Sequence, residues 1–150
     1  LMLVWSDGRY KLLAPPDKLF VDGHLVHAAV HDRELEASVV YRREGVAFVK
    51  RFAFGGAVVG RESRCAPAGA EVLWLAVGPP PDLHVLYEPA PGQKIGQQVF
   101  RLGDLPLRDA RAPGVQMTVK QIRALGPTPP EGWDPAAVTL RGVLKTAAKG

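Results

Sequence analysis

The sequence predicts an all-β protein built from small antiparallel sheets. Short runs of apolar residues alternate with polar ones at a period of two, which is typical of strands that bury one face. The chain carries 16 glycines and 14 prolines spread along its length, as the turns between many short strands require. Before Gly126 we find no place for a long helix.

Four pairs of strands are predicted in order along the chain. The first two pairs enclose Asp7-Gly8 and Glu44-Gly45, which are strong signals for hairpin turns. The third pair encloses the segment 78–82, which contains three prolines. The pairs are Leu1–Trp5 with Arg9–Leu13, Ala37–Arg42 with Val46–Phe54, Glu71–Val77 with Leu83–Tyr87, and Ile95–Arg101 with Val115–Ile122.

The spacing of these pairs predicts a domain organisation. The pairs recur roughly every 35 to 45 residues, a spacing that suits the blades of a propeller-like domain, although a single sandwich also fits. We therefore assign residues 1–125 to blades and residues 126–135 to a proline-rich connector. For the tail, residues 136–150, the sequence leaves a short helix and a last strand both open.

Composition indicates how large a core the chain can form, which partners its charge permits and which cellular compartment it suits. The 150 residues are 47% hydrophobic, enough for a sizeable core, and the formal charge of +4 permits an acidic partner without requiring one. The single cysteine, Cys65, excludes an internal disulfide and predicts a reducing, cytoplasmic setting. No apolar run approaches the roughly 20 residues that span a bilayer. The first residues resemble a strand rather than a leader, so we expect a piece of a longer chain.

The stretch 99–125 contains a basic loop, broken by Gly and Pro, between two alternating segments. A rigid β scaffold that carries Arg and Lys on strand ends and turns is suited to binding a polyanion. The alternative is an ordinary solvated surface that protects the sheet edges. The candidate binding residues are Lys50, Arg51, Arg101, Arg108, Arg111, Lys120 and Arg123, and Arg42, Arg43 and the segment 61–64 add to them.

Other chemistries find little support in the sequence. His24, His27 and His31 lie in a strand-like segment, where their side chains do not converge on one metal ion. Cys65 has no identifiable base, and the tyrosines and tryptophans fall in strand patterns as packing residues. The sequence contains no phosphate-binding Gly-Lys-Ser/Thr loop and no dinucleotide-binding fingerprint. We therefore expect no catalytic residues and no cofactor or metal in this piece.

Three stretches together resemble a known family. They are LVWSDGRYKLL at Leu3–Leu13, VVYRREGVAFVKRFAF at Val39–Phe54, and DLPLRDARAPGVQMTVKQI at Asp104–Ile122. In order and spacing they resemble the C-terminal domain of type IIA DNA topoisomerase A subunits, and topoisomerase IV-like proteins most of all. Two features depart from the family: Arg111 stands one position later than the usual loop arginine, and the glutamine- and glycine-rich box of gyrase is absent.

The resemblance implies a β-pinwheel, here an incomplete ring, whose basic rim binds and bends double-stranded DNA. It also implies that the domain is a non-catalytic part of an ATP-dependent type II topoisomerase, near the nucleoid, with the catalytic core and the B subunit as partners. Two alternatives remain at this point. One is a protein-interaction propeller or sandwich whose basic surface is incidental, and the other is a stand-alone enzyme that uses Cys65 or the histidines.

Overall fold

The computed structural model describes residues 2–13, 23–29, 34–55, 62–92, 96–135 and 140–141. Within them it contains strands and a single 3-10 turn at Leu102–Asp104, and no α-helix. The strands are β1 (Met2–Trp5), β2 (Arg9–Leu12), β3 (Leu25–Ala29), β4 (Glu36–Arg43), β5 (Val46–Ala53), β6 (Glu62–Arg64), β7 (Glu71–Val77), β8 (Asp82–Tyr87), β9 (Gln97–Arg101), β10 (Arg108–Asp109), β11 (Val115–Thr118), β12 (Ile122–Gly126) and β13 (Leu140–Arg141). The predicted all-β class is confirmed.

The strands form three small sheets. The first sheet has the order β3-β1-β2-β6, the middle sheet β10-β5-β4-β7, and the third sheet β12-β8-β9-β13. Strand β11 also pairs with β5, on the same edge as β10. Most of the pairs are antiparallel, but β10 runs parallel to β5 and β13 runs parallel to β9.

The two hairpins with glycine turns are confirmed. Strands β1 and β2 pair around Gly8, which has a φ of 94°. Strands β4 and β5 pair along their whole length, from Glu36 opposite Ala53 to Arg43 opposite Val46. Their turn places Glu44 at a φ of 53° and Gly45 at 81°. Two left-handed residues in a two-residue turn match the twist of the flanking strands, so this sequence fixes the register locally.

The third and fourth predicted pairs are wrong. Strand β7 pairs with β4, and β8 pairs with β9, so the segment between β7 and β8 carries the chain from the middle sheet to the third. In this segment Pro79, Pro80 and Pro81 lack amide donors and have fixed φ angles, which suits an extended crossover better than a tight turn. Strands β9 and β11 do not pair either, because β11 lies on β5.

The middle sheet is buried on both faces. Successive side chains of β4 point to opposite faces, and Val39 packs toward the first sheet while Val40 packs toward the third. Phe52 belongs to the core on the first side, and Val49 to the core on the other. Both cores are apolar and their members are nearly all inaccessible to solvent. This arrangement explains why β4 and β5 have so few exposed positions.

The proline-rich connector lies against the third sheet. The Trp133 ring meets the His84 ring edge to face, with 5.2 Å between centroids. The side-chain amide of Gln97 donates to the carbonyl of Asp134 and accepts from its N–H, at 2.9 and 3.1 Å. Leu140–Arg141 then forms the short strand β13, and the rest of the tail lies outside the described residues.

Candidate functional site

Lys50 is a buried lysine in the middle of β5. Its Nζ atom donates to the carbonyl oxygens of Ala110 at 2.6 Å and Ala112 at 3.0 Å, and lies 5.1 Å from the centroid of the Phe52 ring. Only 4% of the residue is exposed. Burial lowers the pKa of the ammonium group, while nearby Cys65 and Asp109 act in the opposite direction. The predicted position at a strand end is therefore wrong, because Lys50 shares its face of β5 with Phe52 and that face is covered.

The loop above Lys50 joins two strands that both pair with β5. Strand β10 pairs with the end of β5 and β11 with its first half, so residues 110–114 span the gap between them; we call these residues the crossing loop. Its last residue, Gly114, donates its N–H to the Tyr41 hydroxyl at 2.9 Å. The N–H of Arg111 donates to the Asp109 carboxylate at 2.8 Å. Hydrogen bonds to Lys50 and to the hydroxyl of Tyr41 therefore fix the position of the crossing loop.

A cleft of about 300 Å³ separates the crossing loop from the segment that follows β6. The side chains of Lys50, Arg64, Cys65 and Arg111 line it, together with the loop segments at 66–67 and 112–113. We call it the basic cleft. Lys50 and Cys65 are buried and form its floor, whereas Arg64 and Arg111 are exposed at its mouth. None of the described residues that line the cleft carries a carboxylate.

Cys65 is a packing residue at the floor of the basic cleft. It is 1% exposed, and its N–H donates to the carbonyl of Gly8 at 2.9 Å. Burial raises the pKa of its thiol to about 11, so that the thiol is protonated at neutral pH. A protonated, buried thiol is a poor nucleophile. This geometry gives no support to the hypothesis of an enzyme based on Cys65.

The histidines are not gathered into a site either. His24 is exposed, and burial lowers the pKa of His27, whose Nε2 atom has no hydrogen-bond partner within the described ranges. In those ranges no three His, Cys, Asp or Glu residues are arranged to hold a metal ion. His31 lies outside them.

Arg51 is engaged in an ion pair. Its Nε atom lies 2.7 Å from Oε1 of Glu36, and its guanidinium also donates to the carbonyl of Leu105 at 3.1 Å. Both side chains of the pair are mostly buried, with 23% and 22% of their areas exposed. Like Lys50, Arg51 lies within β5 rather than at a strand end. Its charge is neutralised by the carboxylate of Glu36.

The other candidate cations lie at edges and turns, as expected. Arg108 occupies the edge strand β10, half-buried. Arg101 is exposed at the end of β9, and Arg123 is exposed on the edge strand β12. Lys120 lies in the turn before β12, with its Nζ atom 5.0 Å from the centroid of the Tyr87 ring. Arg101 and Arg123 lie on opposite sides of β8, about five residue steps apart. They are therefore offset by about 17 Å along the third sheet and by two strand spacings, about 10 Å, across it.

The sequence did not predict that Arg64 and Arg111 line the same cleft. Arg64 lies in β6, which is added to the first sheet by pairing with β2. Arg111 lies in the crossing loop, which is fixed by the middle sheet. Two contacts between distant parts of the chain therefore create the cleft, and neither has a local signal in the sequence.

The described residues contain no helix that is long and apolar enough to cross a membrane. Among known families, the model described as topoisomerase C-terminal domain, Bacteroidota, matches residues 1–128. No curated protein and no solved structure matches the chain. The matched region runs from β1 through β12, so it includes the crossing loop, the basic cleft and every candidate cation.

Proposed function

Because this chain belongs to the family of topoisomerase C-terminal domains, we propose that it binds and bends double-stranded DNA as a non-catalytic part of a topoisomerase IV-like A subunit. The family match agrees with the resemblance found in the sequence. In this proposal the domain holds duplex DNA by its phosphates and presents it to the catalytic core, which acts with the B subunit. The parent enzyme, not this domain, supplies ATP-dependent strand passage.

The observation that supports the proposal is a set of cations without carboxylate partners. Arg9 and Arg51 form ion pairs with carboxylates. Within the described part of the chain, the cations at strand edges and turns that have no carboxylate within 4.0 Å include Arg64, Arg101, Arg108, Arg111, Lys120 and Arg123. A cation with no partner in its own protein is available to a phosphate, and phosphate contacts dominate the affinity of proteins for DNA.

The spacing of these cations suits a backbone rather than a small ligand. About 17 Å along the third sheet corresponds to about five nucleotides of one strand, at 3.4 Å each. Contacts of this kind position a duplex and carry no sequence information directly. We therefore expect affinity for duplex DNA with little sequence preference.

The exposed apolar residues do not favour a protein-interaction module. Within the described ranges the large hydrophobic residues that are exposed are Val26, Leu107 and Val119, at 37%, 50% and 66%. They lie in three separate segments of the chain, on or beside β3, β10 and β11. Single exposed apolar residues are ordinary, whereas a docking surface for a protein calls for a contiguous patch.

Fluorescence anisotropy with a labelled duplex, at several salt concentrations, tests the proposal. With four to six phosphate contacts, the logarithm of affinity should fall with the logarithm of salt at a slope of about −4 to −5. The double variant Arg101→Ala with Arg123→Ala should shallow this slope by about one to two units. Gln116→Ala, an exposed neutral position on β11, is the control. Absence of binding at low salt, or an unchanged slope in the double variant, would overturn the proposal.

A further inference from the structure

The basic cleft has the composition of an anion site. Two exposed guanidinium groups, from Arg64 and Arg111, stand at its mouth, and neither has a carboxylate partner in the described part of the chain. Two acids lie near the cleft without lining it: Asp109, which accepts the N–H of Arg111, and Asp7, which interacts electrostatically with Arg64. The described lining therefore carries cations and no carboxylate, which favours a positive potential that the walls focus on an entering anion.

We propose that the basic cleft is a phosphate-binding site in which Arg64 and Arg111 hold the phosphate group above the ammonium of Lys50. This inference deepens the proposed function, since a phosphodiester of DNA is one source of such a group and free phosphate is the other. Guanidinium groups match the planar arrangement of two phosphate oxygens and bind them with paired hydrogen bonds. Two of them facing one recess fit a tetrahedral anion.

Lys50 contributes to the floor of this site in a defined way. An ammonium group has three N–H donors, and two of them are used by the carbonyls of Ala110 and Ala112. Within the described residues the third has no acceptor. The two bonds to the crossing loop also fix the backbone on either side of Arg111. Lys50 is thus a positioning residue that adds a positive charge beneath the anion.

The size of the cleft agrees with a phosphate. A cavity needs roughly 10–15 Å³ to hold a single water molecule, and the cleft offers about 300 Å³. A phosphate group therefore enters with part of its hydration. A second cavity beside Arg51 and Arg108 has only about 10 Å³ and cannot hold one.

The test is a titration of the ¹⁵N-labelled 150-residue chain, followed by NMR, with three ligands at matched ionic strength. Inorganic phosphate is the free anion, dimethyl phosphate is the mimic of the DNA backbone, and sodium chloride is the control. We expect saturable shifts of the Nε–H signals of Arg64 and Arg111 and of the amide of Ala66, with little change at Arg101 and Arg123. Shifts that do not saturate, or that are equal at Arg101, would show general screening and overturn the site.

Matched variants separate this inference from the proposed function. Arg64→Gln and Arg111→Gln should each weaken phosphate binding by about tenfold, while Lys11→Gln, on β2 and outside the lining of the cleft, should leave it unchanged. Saturable binding of dimethyl phosphate supports the DNA backbone as the source, and binding of inorganic phosphate alone supports a free anion in the same site. If phosphate binds the cleft but the chain binds no duplex, the proposed function fails and the site stands. If duplex binds but neither phosphate ligand perturbs the cleft signals saturably, the site fails and the proposed function stands.

Discussion

The Nζ atom of Lys50 lies 2.6 Å from the carbonyl oxygen of Ala110, sixty positions later in the chain. A second bond, to Ala112 at 3.0 Å, means that one side chain holds both ends of the turn that carries Arg111. A buried charge is expensive unless it is satisfied, and here backbone carbonyls satisfy it without a carboxylate. Lys50 therefore fixes the shape of the crossing loop, and its ammonium group is buried rather than exposed on a rim.

Replacement of Lys50 by methionine should loosen the crossing loop. The substitution keeps the apolar stem but removes two donors, and a buried carbonyl left without a partner costs about 1–3 kcal/mol. We expect the free energy of unfolding to fall by about that amount, and the amides of residues 111–114 to exchange faster with solvent. Chemical denaturation and hydrogen exchange measure the two effects.

Lys11→Met provides the matched control, because Lys11 lies on β2 and makes no hydrogen bond to the crossing loop. It should change the stability by less than about 0.5 kcal/mol. Equal stability and equal exchange in the two variants would show that the bonds from Lys50 do not organise the loop.

The sequence predicted the local elements of this fold and not their long-range partners. The hairpin of β4 and β5 follows from Glu44 and Gly45 alone, because its turn type sets its register. The pairing of β7 with β4 has no such signal, since a segment of prolines is compatible with a turn and with a crossover. The roles of Lys50 and Arg51 were missed for a related reason. Their partners are backbone carbonyls and one carboxylate that only the folded sheets bring near.

Gly114 is a position where the backbone must approach an aromatic ring closely. A Cβ atom there would lie 2.9 Å from the Tyr41 hydroxyl oxygen and 3.1 Å from Cβ of Phe48. Tyr41 and Phe48 are stacked, with 5.5 Å between their centroids, so neither can move aside freely. Gly114→Ala should therefore cost about 1–3 kcal/mol of stability, as overpacking does.

Gly96→Ala is the comparison for that measurement. A Cβ atom at Gly96 would meet no heavy atom of the described residues within 4 Å, and the φ angle of Gly96 is not in the left-handed region. Thermal and urea unfolding should place this variant within about 0.5 kcal/mol of the unmodified chain. A Gly114→Ala protein as stable as Gly96→Ala would mean that the crossing loop can lift away from Tyr41.

The thiol of Cys65 makes stability depend on pH in the alkaline range. Its pKa rises from 9.0 to about 11 in the folded protein, so the folded state keeps a proton that the unfolded state loses above pH 9. The contribution of the thiol to the free energy of unfolding is therefore fully present below pH 9 and is lost as the pH rises toward 11. The loss amounts to about 2–3 kcal/mol.

Urea unfolding at intervals between pH 7.5 and 11 should show this loss in the unmodified chain and a flatter profile in Cys65→Ala. Tyr10 and Tyr87 have raised pKa values as well, chiefly because of burial, and they titrate in both proteins. The effect of Tyr87 cancels in the difference, whereas Cys65 also raises the pKa of Tyr10, so part of the Tyr10 effect belongs to the thiol. Parallel profiles for the two proteins would contradict the assignment of the thiol.

The connector should depend on Gln97 for its position. Gln97 is 4% exposed and makes two hydrogen bonds to the backbone of Asp134. Gln97→Leu has a similar volume but leaves both backbone groups without these partners, so we expect faster hydrogen exchange and faster proteolysis near Trp133. Gln116→Leu, at an exposed position, should leave both rates unchanged. Equal protection of Trp133 in the two variants would show that its contact with His84 suffices.

Arg51 and Arg108 were both predicted from the sequence to bind DNA, but their replacement by alanine should have opposite effects on stability and on the salt dependence of DNA binding. Arg51 is paired with Glu36 and bonded to the carbonyl of Leu105, so Arg51→Ala should cost about 1–3 kcal/mol of stability and leave the salt dependence of DNA binding unchanged. Arg108 has no carboxylate partner among the described residues. Arg108→Ala should leave the stability within about 0.5 kcal/mol and shallow the salt slope by about one unit. Urea unfolding and anisotropy titrations on the same two preparations give both readouts. If Arg51→Ala shallows the slope while stability is kept, the ion pair with Glu36 opens when DNA binds, and Arg51 contacts the phosphates directly.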